Sequence, residues 1–175
     1  MPTPPPPASR PAPDRYAAER YKPTSPNCAR SLLALQFDGQ TLRATGTRSA
    51  LVLPAVSGRA VDGRFDYSTD RQRLADQGPI PTGDYWIQPQ ELQSNAWYRL
   101  RNPRAAWGNH WITIHPYPAT QTYGRGGFFI HGGSTPGSAG CIDLSGSMDR
   151  FAEAIERELE PRVPCHIPLY VRYRR

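Results

Sequence analysis

Long apolar runs are missing from this 175-residue chain. Nothing approaches the roughly twenty consecutive apolar residues that a membrane-spanning helix needs, so no membrane span is expected. The opening MPTPPPPASR also lacks the apolar stretch of a secretory signal peptide. Export by the general secretory route is therefore not expected; the chain stays in the cytoplasm or is moved by another machine. Cysteine is scarce, with Cys28, Cys141 and Cys165 as the whole set. An odd, sparse trio is no disulfide framework, although it leaves room for one bridge and at least one free thiol. There is no C-x-x-C pair, and His110, His115, His131 and His166 match no compact ligand spacing. No metal and no cofactor are expected. Recognisable nucleic-acid modules are absent as well: the arginines are scattered, and no zinc-finger spacing or basic helix occurs. The formal charge of +6 supports only an acidic or polyanionic target, and nucleic acid is not expected.

What the chain has in quantity is glycine (15) and proline (20), together a fifth of its residues. That composition favours a turn-rich β architecture over a helical bundle. Nine of the prolines fall in residues 1–30, which read as a disordered leader or linker; residues 31–175 read as one globular domain. LLALQF, Asp38-Gly39 and QTLRA form a predicted hairpin, because Asp-Gly supplies the backbone angles of a tight turn. Further strands are predicted at LVLPAV (51–56), DYWIQ (84–88), WYRLR (97–101), HWITIH (110–115) and GFFIH (127–131). Gly78-Pro79-Ile80-Pro81-Thr82-Gly83 is predicted to be a rigid loop. Met148, Phe151, Ile155 and Leu159 recur at helical spacing before Pro161, giving one clear helix in the C-terminal half. CHIPLYVRY alternates as a final strand, and Pro168 suggests an edge position. The fold class is mainly β with that single helix.

The densest chemistry lies in GRGGFFIHGGSTPGSAGCID (124–143). His131 ends an apolar strand, and Cys141 follows ten residues later behind Ser138-Ala139-Gly140. A thiol is largely protonated near neutrality, and a neighbouring imidazole can remove that proton to give the nucleophile. Glycines on both sides let backbone amides approach a substrate, and those of Gly140 and Cys141 could hold an oxyanion. Cysteines are also small core residues, and Cys165 fits that role on its strand. Cys28 sits in the leader. Cys141 differs, since no apolar periodicity surrounds it. On these residues alone, a catalytic pair and a structural pair stand as equal readings. Parity along HWITIH separates His110 from His115, and His115 at the strand end could border a cleft.

IHGGSTPGSAGCIDL resembles the signature of L,D-transpeptidases of the YkuD-like fold: a histidine, a Gly-rich spacer, then S-x-G-C. The ten-residue spacing, the ending GCIDL and the upstream GPIPTGDY resemble one branch more closely, the antibacterial effectors of the type VI secretion system. The resemblance spans about residues 31–173 and implies a β-rich sandwich or barrel acting on peptidoglycan stem peptides. It implies Cys141 as nucleophile, His131 as base, and the Gly132 carbonyl orienting the imidazole. Ser138 and Gly140 would shape the oxyanion loop. The reaction implied opens the L,D bond between meso-diaminopimelate and D-alanine. Water then completes a carboxypeptidase cycle, or a D-amino acid an exchange. Such enzymes are delivered by type VI secretion into a target periplasm and come with an immunity protein. Arg125 is a candidate for a substrate carboxylate, with a solvent-exposed arginine as its plainer reading, and Tyr123 and Trp107 are candidates to line the cleft. Two positions depart from many housekeeping relatives: Ala139 replaces a histidine and Asp143 an arginine.

Two rival readings need other features. A sortase-like transpeptidase would need a longer His-to-Cys spacing and a downstream catalytic arginine, for which Arg172 is the available candidate. A non-catalytic wall-binding module would use the proline-rich leader for docking.

Overall fold

The computed structural model describes residues 23–46, 50–94, 110–133, 140–158 and 165–174. The first hairpin forms because Asp38 closes its own turn: its carboxylate Oδ1 accepts from the amides of Gln40 and Thr41 at 2.9 and 2.8 Å. Strands β2 (Ala34–Phe37) and β3 (Thr41–Thr45) leave that turn antiparallel, and β4 (Leu51–Pro54) pairs with β3. Alternate side chains, among them Leu35, Phe37, Leu42 and Leu53, are buried.

Among the described residues two sheets share one core. The larger runs β4-β3-β2-β12-β6-β9, with β6 at Gly83–Ile87, β9 at His115–Pro116 and β12 at Cys165–Val171. A short β1 (Ala29–Arg30) also pairs with β12, so the sheet takes in residues before Ser31. The smaller runs β5-β11-β10-β8-β7: β5 is Val56–Ser57, β7 Gln93–Ser94, β8 His110–Thr113, β10 Phe129–His131 and β11 Ile142–Asp143. The chain passes between the sheets at Ala55 and again at Ile114, both buried. HWITIH is therefore two strands in two sheets. The break falls at Ile114, whose amide donates to the Phe128 carbonyl at 2.8 Å.

Among the described residues two α-helices complete the fold. A single turn, α1 (Thr69–Gln72), is capped by Ser68 between β5 and the Gly78–Gly83 loop. The predicted helix is α2 (Met148–Glu158), which buries Met148, Phe151 and Ile155 in the common core. The predicted strand at 97–101, Leu159 and the leader through residue 22 lie outside the described residues.

The edge position expected for the last strand is incorrect. β12 lies inside the sheet, antiparallel to β6 along Ile167–Val171 and flanked on its other side by β1 and then β2. Arg172 N donates to Phe37 O, so the even-numbered residues of β12 turn their amides toward the β1–β2 side. Pro168 meets that side between the β1 pairing (Cys165, His166) and the β2 pairing (Leu169–Val171). Its missing N–H falls where no ladder bond is due.

The buried Ile130 and Ile142 are register partners joining β10 to the core. Ile142→Ala is expected to cost about 2–4 kcal/mol in urea unfolding, whereas Val52→Ala, on an exposed position, should change stability by no more than about 0.5 kcal/mol.

Candidate active site

The register of two short strands assembles the site. β10 and β11 run parallel, with Ile130 opposite Ile142 and His131 opposite Asp143. Alternation sends the two isoleucines to the core and puts His131 and Asp143 together on the other face. Cys141, one residue before β11, shares that face with Asp143. Its Sγ lies 3.8 Å from the Gly127 carbonyl at the entry to β10, so the thiol is held against the strand that carries the histidine.

His131 is 4% exposed. Its Nδ1 lies 2.7 Å from the carbonyl oxygen of Gly132, and because a carbonyl only accepts, Nδ1 carries the hydrogen. The other ring nitrogen, Nε2, is thereby the basic one when the ring is neutral. Gly132 can offer its carbonyl here because it has no side chain. A Cβ would come within 2.6 Å of the Ser145 carbonyl and 2.7 Å of Met148 Cβ. The amide of Leu144 donates to the His131 carbonyl at 2.8 Å and fixes the backbone beyond the strand.

Asp143 is the member that sequence reasoning met only as a departure from relatives. The carboxylate is 1% exposed, accepts from the Ser145 amide at 2.7 Å, and reaches within 4.0 Å of His131 Nδ1. A carboxylate this buried needs compensating donors or charge, and a protonated His131 would provide the charge. The signal available in sequence was period two alone, since Cys141 and Asp143 had to share a face once 141–143 was extended.

Cys141 is 8% exposed, unlike the open glycine–serine setting its neighbours suggest. Burial pushes its thiol up to about 12; the negative Asp143 adds to the rise, while a hydrogen bond from the Phe129 backbone and the positive Arg125 oppose it. The resting sulfur is a protonated thiol, and a nucleophile arises only when a base takes its proton.

Arg125 buttresses this arrangement. It follows a tight turn, closed by its amide on the Thr122 carbonyl at 3.0 Å, in which Tyr123 and Gly124 both have positive φ (57° and 69°). Nη1 donates to the carbonyls of Gln72 (2.5 Å) and Pro79 (2.7 Å), and Nη2 to that of Gly78 (2.8 Å). The same Nη2 lies 2.6 Å from where a Cβ on Gly140 would stand, and Gly140 has φ +113°, so only glycine fits there. The guanidinium thus ties the GPIPTG loop to the residue before Cys141. That loop is tied down by hydrogen bonds along its length. Ile80 N donates to Ser57 Oγ, Thr82 N to Gln72 Oε1, Tyr85 OH to the Pro81 carbonyl and Tyr173 OH to the Ile80 carbonyl.

The remaining candidates lie apart from this cluster. His115 sits in the larger sheet, 2.7 Å from Glu91 Oε1 and stacked on Trp86. Tyr123 packs under the Arg73 guanidinium. Arg172 is bound to Asp84 and the Gly83 carbonyl. His110 faces Asp149 at 3.7 Å. Ser138, Ala139 and Trp107 lie outside the described residues. Among the described residues no group of three or more His, Cys, Asp or Glu side chains is placed to hold a metal ion, and no helix is long and apolar enough to cross a membrane.

A family model described as the Tlde1 domain matches residues 55–165, more than half of the chain. Among solved structures the chain is similar to "Structure of Bdellovibrio bacteriovorus Bd1075", at 18% identity and a TM-score of 0.47. That match covers 85% of this chain and 50% of the other, so the chain spans about half the length of that protein. No curated protein matches it.

Two measurements probe the site. With the thiol at about 12, its thiolate fraction rises about tenfold per pH unit below that value. Iodoacetamide labelling of Cys141, read by peptide mass spectrometry in His131→Ala, should therefore climb from about pH 7 to 10 without levelling; a plateau below about pH 9 would contradict the burial effect. Gly132→Ala should lower turnover by about a hundredfold, within the range of lost general-base catalysis, because the added methyl displaces the carbonyl that orients His131. Unchanged turnover in a folded variant would remove that carbonyl from the mechanism.

Proposed function

The chain belongs to the Tlde1-domain family of type VI secretion effectors, and from that membership we propose that it is a cysteine L,D-carboxypeptidase or L,D-transpeptidase acting on peptidoglycan stem peptides. The observation that carries the reading is the His131 Nδ1–Gly132 carbonyl contact at 2.7 Å, made on a strand paired with the one that Cys141 precedes. With Nδ1 so engaged, Nε2 is the ring nitrogen that acts as base toward the buried thiol.

In this reading the stem peptide presents the carbonyl between meso-diaminopimelate and the terminal D-alanine. Nε2 takes the Cys141 proton as the sulfur bonds to the carbonyl carbon, so no thiolate need persist in the buried resting site. The oxyanion is met by the amides of Gly140 and Cys141, with Ser138 shaping the same loop. Asp143, 4.0 Å from Nδ1, stabilises the imidazolium for as long as His131 holds the extra proton. The imidazolium then gives that proton to the departing D-alanine amine as the C–N bond breaks, and a thioester remains on Cys141. Water resolves the thioester to a shortened peptide, or a D-amino acid takes the acyl group in exchange. Among the described residues Arg125 uses three of its five donors on backbone carbonyls, which favours a scaffolding role over a free carboxylate receptor. In the same reading the protein is delivered by type VI machinery to a target periplasm, and a cognate immunity protein protects the producer.

The test is mass spectrometry of purified muropeptides incubated with the wild type and with Cys141→Ala. Tetrapeptides should become tripeptides, or mass-shifted tetrapeptides when a D-amino acid is added, with the wild type only. Unaltered muropeptides with both proteins would overturn the reading.

A further inference from the structure

The reaction uses one of the three thiols, and the fold brings the other two together. β1 pairs in parallel with β12, so that Ala29 is the register partner of Cys165 and Arg30 of His166. Cys28 immediately precedes β1. Its carbonyl accepts from His166 Nδ1 at 2.9 Å, and Ser31 N donates to the His166 carbonyl at 2.8 Å. The backbones on both sides of the pair are thereby fixed. Strands lie about 4.8 Å apart and advance about 3.3 Å per residue. One step of register therefore sets the two cysteine Cα atoms about 6 Å apart, inside the roughly 4.4–6.8 Å that a disulfide spans. Strict alternation would send the Cys28 side chain to the face opposite Cys165, but the chain bends at Asn27–Cys28 and is released from it. Both thiols are half-buried. Each is raised by burial, and Cys165 is raised further by the charge of Cys28 beside it.

We propose that Cys28 and Cys165 are a disulfide site that closes in oxidising surroundings, strapping the N-terminal segment to β12 and leaving Cys141 as the single free thiol. The oxidant is a small-molecule or protein disulfide. The Cys28 thiolate attacks one of its sulfurs and expels a thiolate. The Cys165 thiolate then attacks the Cys28 sulfur of the mixed disulfide and expels the second. The two cysteines lose two protons to solvent and two electrons to the oxidant, which leaves as two thiols. The bond would close a loop of most of the chain, the case in which a cross-link restricts the unfolded state most. The site is separate from Cys141, and the proposal stands or fails independently of the peptidoglycan reading.

The test uses the full chain incubated with glutathione disulfide at about pH 8.5, where the raised thiols begin to ionise. Thiol titration after denaturation should fall from three to one. Non-reducing peptide mapping should yield a Cys28–Cys165 linked peptide, and Cys28→Ser should yield none. Thermal unfolding of the oxidised wild type should move up by about 5–10 °C relative to the reduced protein. Three remaining thiols, or a linked peptide containing Cys141, would overturn the site. A Cys28–Cys165 bond with no thermal shift would overturn the strapping role.

Discussion

The parallel pairing of β10 with β11 is the constraint on which the candidate site depends. Two isoleucines in register, Ile130 and Ile142, anchor the pair in the core, and their burial fixes what stands on the opposite face. A slip of one residue would put His131 into the core and Ile130 into the site. The apolar packing that stabilises the smaller sheet is therefore also what aligns the thiol, the imidazole and the Asp143 carboxylate. Gly132 and Gly140 then allow backbone to pass where side chains would collide.

Around this pair the electrostatics are opposed in sign. Arg125 favours a negative sulfur and Asp143 disfavours it, while burial exceeds both and keeps the thiol protonated. A protonated sulfur under a closed surface resists adventitious oxidation, since the thiolate is the reactive species. The guanidinium is itself held by three carbonyls of residues 72–79. Those carbonyls belong to a segment with few ladder partners, and without side-chain donors its buried polar groups would go unpaired. One arginine thus satisfies a loop and supports the residue before Cys141.

Much of this was legible in the sequence because it is local. Asp38-Gly39 specified a turn, Met148, Phe151 and Ile155 a helix face, and the Gly-Pro-Ile-Pro-Thr-Gly run a rigid loop. His131 and Cys141 could be named from residue type and spacing, although spacing alone did not separate a catalytic pair from a structural one. What could not be read depends on pairing between distant segments. HWITIH looks like one strand, yet Ile114 carries it from one sheet to the other. Pro168 suggests an edge, but which flank of a strand a missing amide faces is decided by its neighbours. Asp143 became a partner of His131 only through the β10–β11 register. The burial of Cys141 likewise comes from packing that its own glycine and serine neighbours do not foretell.

The position of Pro168 divides the sheet into zones of unequal persistence. One flank of β12 is served end to end by two strands, β1 and then β2, and the proline stands at the hand-over. With no amide there, no hydrogen bond couples the two zones. Detaching β1 breaks no β2–β12 bond, and the core beneath Leu169 and Val171 stays closed. The amides of β1 and Ser31 therefore open as a small cooperative unit of their own, exchanging with solvent well ahead of the amides along β2. Under load the N-terminal segment would be the first part to yield, with the rest of the sheet intact behind it.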